Sequence, residues 1–101
     1  MKIIEIKKYQ LGKNPDGRAI ESSTIDLVSA IIDNSKADNI TTSDQRRRMK
    51  LLDAVEAGIK DGKLELENAD FDFFKELVDG MMWKISTSGI RQFIKDIDGV
   101  Q

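Results

Sequence analysis

"TTSDQRRRMKLLDAVEAGIKDGKLELE", residues 41–67, is the passage on which the fold turns, because its residues must be divided between a helix and whatever follows it. Thr42-Ser43-Asp44-Gln45 has the spacing of a capping box, in which a hydroxyl and a glutamine three residues later satisfy free backbone N–H groups reciprocally. A helix starts there. It runs to Ala57 or Gly58, or as far as Lys60 with Gly62 beyond, since both glycines suit the left-handed exit that ends helices. "KLELE" places Leu64 and Leu66 on one side, as a short strand or an extended link.

The basic run inside this passage divides by helical geometry. Taking Arg46 as origin and about 100° per residue, Leu51, Val55, Ile59 and Leu52 fall between about 140° and 240° and form the apolar stripe. Arg46 and Lys50 lie on the far side and Arg47 at the border, so these three read as a solvated face. Arg48 falls at about 200°, within the stripe. It is either a structural arginine closing the core, with Asp70 or Asp72 as carboxylate partner, or an anchor for a phosphate or a partner's carboxylate, to which the guanidinium fork is suited. A DNA-recognition role for helix 43–59 would need a second helix close before it, and the polar connection "NSKADNITTSD" is long for that.

Outward from this passage, "KIIEIKKYQL" mixes β-branched residues with charges and reads as a strand. Asn14-Pro15-Asp16-Gly17 fits a type I turn at the surface, which makes a hairpin of the segment if a second strand follows. A first helix near residues 23–33 follows from Ile25, Leu27, Val28, Ile31 and Ile32 on about half a helical wheel, with Ser22, Ser23 or Thr24 as cap. Asn68 caps a third helix whose buried stripe is Phe71, Phe74, Leu77, Val78 and Met81, with Asp70 and Asp72 where the helix dipole favours them. Ser86 caps a fourth, with Ile85 and Ile90 spaced as a hydrophobic staple and Ile90, Phe93, Ile94 and Ile97 as its core face. The expected fold is mainly α: a small four-helix domain with an amino-terminal strand or hairpin, α+β being the competing class. Residues 1–101 form a single domain, with 1–21 as strand and turn lead-in and 22–101 as helical core.

The chain has no cysteine and no histidine, which removes disulfides, thiolate and imidazole metal sites and every nucleophilic triad built on histidine. Carboxylate, lysine or tyrosine chemistry and oxygen-liganded ions survive. The span Asp33 to Asp44 has the 12 residues of a calcium loop, but Ala37 stands at a ligand position and Asp38 where the sharp turn needs glycine, so it is rejected. The pairs in "DFD" and "DIDG" have no basic or phosphate-cradling companion and read as solvated or dipole-compensating. No catalytic residue, cofactor or metal is expected, and the chain reads as no enzyme. Net charge is −2: residues 1–60 carry 11 basic against 9 acidic side chains, hence +2, and residues 61–101 carry 5 against 9, hence −4. That balance disfavours strong sequence-independent binding to phosphate backbones. No apolar run is long enough to span a bilayer and no signal peptide is recognisable, so no membrane partner is expected and an intracellular location is.

"MMWKI", residues 81–85, is the remaining feature, read either as core filling or as an exposed anchor. Consecutive residues do not all face one way, so at least one of Met81, Met82 and Trp83 is expected at the surface.

With these elements placed, "TTSDQRRRMKLLDAVEAG", "KLELENADFDFFKELVDGMMW" and "IRQFIKDI", within about residues 42–97, resemble small accessory proteins encoded in tailed-bacteriophage genomes. The resemblance lies in a capped basic helix running into "LLDAVE", the "LELENADF" lead-in to the next helix, the methionine-tryptophan junction and the closing "FIKDI". It implies a phage or prophage protein located in the host cytoplasm or the virion, and it brings no catalytic residue. The functional expectation is a non-enzymatic protein–protein interaction module, either a virion or assembly component or a modulator of a host protein. Its partner would be a phage or host protein or a second copy, bound through Trp83, Met82 and Arg48. The alternative is a small nucleic-acid-binding regulator using Arg46, Arg47 and Lys50.

Overall fold

The computed structural model describes residues 1–35, 40–83 and 86–101, in the order β1 (Lys2–Glu5), β2 (Lys8–Lys13), β3 (Ala19–Ser23), α1 (Thr24–Asn34), α2 (Thr42–Asp61), β4 (Lys63–Leu66), α3 (Asn68–Asp79) and α4 (Ser88–Asp98). The expectation of a mainly α domain is corrected. Besides the four helices, the described residues build two antiparallel two-stranded sheets, β1 with β4 and β2 with β3.

The first correction comes from "KLEL", whose alternation is used in full. Leu64 and Leu66 are buried while Lys63 and Glu65 face outward, and β4 pairs with β1 in the register Ile4 to Leu64 and Glu5 to Lys63. Gly62 ends α2 at φ 76°, the left-handed conformation that glycine adopts without a Cβ penalty, and its N–H closes on the Gly58 carbonyl. The chain thus reverses within one residue and lays β4 against the helix it has just left.

The second correction concerns "KIIEIKKYQL", which is two strands in two sheets rather than one strand. Thr24, fully buried at the start of α1, sits at the break. Its hydroxyl accepts from the Lys7 N–H at 2.8 Å and points at the Glu5 and Lys7 carbonyls, and its own N–H donates to the Lys7 carbonyl at 2.9 Å. Ile6 and Lys7 therefore form a corner that sends β2 away from β1. β2 and β3 close the amino-terminal hairpin around the Asn14-to-Gly17 turn, where the Gly17 N–H donates to the Asn14 carbonyl, and the register slips by one residue at Leu11.

The helices differ from expectation mainly in their caps. Ser23 caps α1, accepting from the Asp26 N–H. Thr41 rather than Thr42 caps α2, accepting from the Asp44 N–H. Glu67 precedes α3 without a side-chain cap bond, making Asn68 its first residue rather than its cap. Thr87 rather than Ser86 caps α4. Helix starts read from sequence carry an uncertainty of one or two residues where neighbouring side chains can each serve as cap. The proposed staple through Ile85, and the Ala37 and Asp38 positions of the rejected calcium loop, lie outside the described residues.

One apolar core joins both sheets and all four helices, with Ile31, Leu64, Phe74 and Phe93 at its centre. Met81 and Ile94 sit half-buried at its margin. Ile59, expected in the apolar stripe of α2, is 65% exposed, while Gly58 is buried. A Cβ at Gly58 would collide with the Leu64 side chain, so the missing side chain is what lets β4 approach and turns Ile59 outward.

Gly89 makes the second close approach. A Cβ there would meet the Gln10 carbonyl oxygen and lie 2.7 Å from its carbon, so α4 rests directly on the β2 backbone. Backbone does not yield as a flexible side chain does. Gly89→Ala should destabilise by at least the about 1–3 kcal/mol typical of overpacking, measured by denaturant unfolding. Gly80→Ala, whose nearest obstacle is 3.5 Å away, should stay close to wild type in the same measurement.

Candidate functional site

Arg48 lies on the inner face of α2 and is only 7% exposed. Its Nη1 donates to the Ile32 carbonyl at 2.6 Å and to the Ser35 hydroxyl at 2.7 Å. Both acceptors belong to the end of α1, where the last carbonyls have no partner within the helix and the dipole is negative. The last turn of α1 has no basic residue of its own. Arg48 supplies the missing charge from the neighbouring helix, as a cap in trans. The carboxylate partners expected from sequence are corrected: Asp70 sits 3.2 Å from Lys50, and no carboxylate lies within ion-pair distance of Arg48 among the described residues.

A groove of about 150 Å³ opens beside it, lined by polar Asp33, Ser35, Gln45 and Arg48 and by apolar residues that include Ile40, Met49 and Leu52. The Arg48 Nε is buried without a hydrogen-bond partner. Met49 is 61% exposed and Ile40 and Ile59 are also exposed, so the shoulder of α2 carrying Met49, Leu52 and Ile59 presents apolar side chains to solvent.

Of the other basic residues of α2, Lys50 is the one that is ion-paired among the described residues. Lys50 is bound by Glu67 at 3.1 Å and Asp70 at 3.2 Å, and its ammonium pKa is raised by the hydrogen bond to Glu67 first and Asp70 second. Arg47 is exposed and stacks over the Phe73 ring at 5.4 Å, beside Asp70, Asp72 and Glu76. Arg46 is exposed. Arg46, Arg47 and Lys50 therefore do not combine into one field of uncompensated cations.

Of the methionine-tryptophan junction, Met82 is 82% exposed, whereas Met81 and Trp83 are half-buried against the core. Trp83 and Arg48 are far apart in sequence and on different elements, and the groove beside Arg48 contains neither Trp83 nor Met82.

A second polar cluster has no counterpart in the sequence reading. The buried Tyr9 hydroxyl donates to Asp96 Oδ2 at 2.7 Å, Gln92 donates to Oδ1 at 2.8 Å, and the Lys7 ammonium lies 3.6 Å away. Burial, then the hydrogen bond to Asp96, pushes the Tyr9 phenol up to about 12. Burial alone would raise the Asp96 carboxyl, but the Tyr9 and Gln92 donors and the Lys7 charge outweigh it and hold it below the usual value. Tyr9 also meets Phe93 edge-on at 5.6 Å. With a sequence separation of 87 between Tyr9 and Asp96, no local pattern could have joined them. This cluster clamps β2 to α4. A phenol this hard to ionise and a carboxyl this easy to ionise are both poorly tuned for proton transfer near neutral pH.

Among the described residues no group of three or more acidic side chains is arranged to hold a metal ion. The chain matches no family model, no curated protein and no solved structure.

Two measurements follow. Arg48→Met would leave the Ile32 carbonyl and the Ser35 hydroxyl without their donor and should cost about 1–3 kcal/mol in urea unfolding, whereas Arg47→Met, on the exposed side, should cost under about 1 kcal/mol. Tyr9 is the sole tyrosine, so its ultraviolet phenolate absorbance titrates one group, and the midpoint should lie near 12 in the folded protein. Because its folded pKa is raised, its contribution to stability is complete below the ordinary tyrosine pKa of about 10 and is lost as pH rises towards the folded value. The stability difference between wild type and Tyr9→Phe should shrink over that window.

Proposed function

We propose that the chain is a non-enzymatic protein–protein interaction module of the kind encoded by tailed phages, acting as a virion or assembly component or as a modulator of a host protein. The observation that carries the reading is the exposed apolar shoulder of α2, where Met49, half-buried Leu52 and Ile59 follow one another at helical spacing with Ile40 alongside. Apolar side chains grouped on an ordered helix, rimmed by charged residues, mark surfaces that another protein covers. Met82, beside Trp83, offers a second apolar contact. The described residues contain no helix long and apolar enough to cross a membrane, which fits action in the host cytoplasm or in the virion.

The nucleic-acid reading is the weaker one, because Lys50 is already held by two carboxylates and Arg47 lies among three. The two readings separate cleanly. Tagged wild type and an Arg46→Ala/Arg47→Ala variant should retain the same protein from a bacterial lysate, and Met49→Asp/Ile59→Asp, substituted at exposed positions, should lose it by at least about tenfold. Retention unchanged in the aspartate variant would remove the α2 surface. A DNA or RNA titration at low salt that shows binding lost in the arginine variant would replace the proposal with the nucleic-acid one.

A further inference from the structure

The Arg48 guanidinium is used on one side only. Nη1 takes the Ile32 carbonyl and the Ser35 hydroxyl, while Nε is buried and unbonded and Nη2 enters no hydrogen bond among the described residues. Nε and Nη2 together form the side-on edge of the guanidinium, whose two parallel N–H groups match the two oxygens of a carboxylate. Among the described residues the charge is offset by the end of α1 rather than by an acid, and this edge has no partner.

We propose that the groove between the end of α1 and α2 is the anchor point of the interaction module, receiving an aspartate or glutamate side chain of a partner protein in a bidentate pair with Arg48. This deepens the interaction reading and rests on it. The surroundings select the ligand. Among the described lining residues Arg48 is the one cation and Asp33 is an acid in the same lining, an arrangement that suits a single planar carboxylate better than a doubly charged phosphate. Ile40, Met49 and Leu52 also line the groove and would cover an apolar residue next to the acid in the partner's chain. The carboxylate enters through the groove, past the exposed Gln45 and Met49 side chains that line it. Exclusion of water from Nε means that a carboxylate oxygen reaching it makes a bond that solvent does not already provide. The site also explains the sequence: lysine would deliver a point charge to the end of α1 equally well, but it has no second edge.

The test uses the full chain labelled with ¹⁵N and acetate as the probe, at constant ionic strength. The Arg48 Nε–Hε resonance should shift saturably with acetate and not with chloride. Inorganic phosphate should bind at least about tenfold more weakly. The backbone amides of Ser35 and Met49 should follow the same curve in wild type and stay still in Arg48→Lys. Absence of a saturable acetate shift in wild type would overturn the proposal, as would equal binding of phosphate. A shift of the Nε–Hε resonance caused by Asp33→Asn without any ligand would overturn it too, because the edge would then be filled from within the chain. The outcome is independent of the lysate experiment. A silent Arg48 resonance beside intact capture through α2 removes the anchor and leaves the module, and a responsive Arg48 beside capture unaffected by the α2 aspartates does the reverse.

Discussion

The pairing of β1 with β4 is the constraint on which the other contacts depend. It brings the second residue of the chain beside the sixty-sixth and encloses α1, α2 and the hairpin within one closed loop. Such a contact is entropically expensive and must be repaid by burial. Repayment comes from Ile4, Leu64 and Leu66, which enter the core together on one face of the small sheet. The approach of β4 to α2 that makes this burial complete is set by one absent side chain, at Gly58.

Once β1 is fixed, the corner at Ile6 and Lys7 determines where the hairpin goes. Thr24 secures that corner with bonds from both its hydroxyl and its backbone, which is why a threonine at a helix start is fully buried. The hairpin then offers a bare stretch of backbone at Gln10 for Gly89 to rest on, and Tyr9 for Asp96 and Phe93 to grip. α4 is thus held by one steric fit and one polar clamp. Glycines at two helix faces, rather than larger apolar residues, set the spacing of both sheets from the helices.

Arg48 shows how an ambiguous residue resolves. Helical geometry alone put it on the apolar stripe of α2, and that position was legible because angular placement follows from chain spacing. Its partners were not, because the expected acids belonged to α3 and the actual acceptors to the end of α1. A carbonyl left over at a helix end carries no sequence signature. The exposure of Met82, against half-buried Met81 and Trp83, was foreseeable only as a statement that three consecutive residues cannot face one way. The Tyr9 and Asp96 cluster was wholly illegible, being made by two elements that the chain visits at opposite ends.

The sequence by itself determined the four helices to within a few residues, the turn at Pro15, the exclusion of histidine and cysteine chemistry and the inward position of Arg48. Each is governed by local spacing or by composition. Tertiary structure alone decided that "KIIEIKKYQL" splits between two sheets, that "KLEL" is a strand with a partner, that Ile59 faces outward, and that the Nε of Arg48 has no partner among the described residues. The reason is common to all four. A strand acquires its identity from the neighbour it pairs with, a stripe residue its burial from whatever packs above it, and an arginine its free valence from the groups its fixed half has already reached.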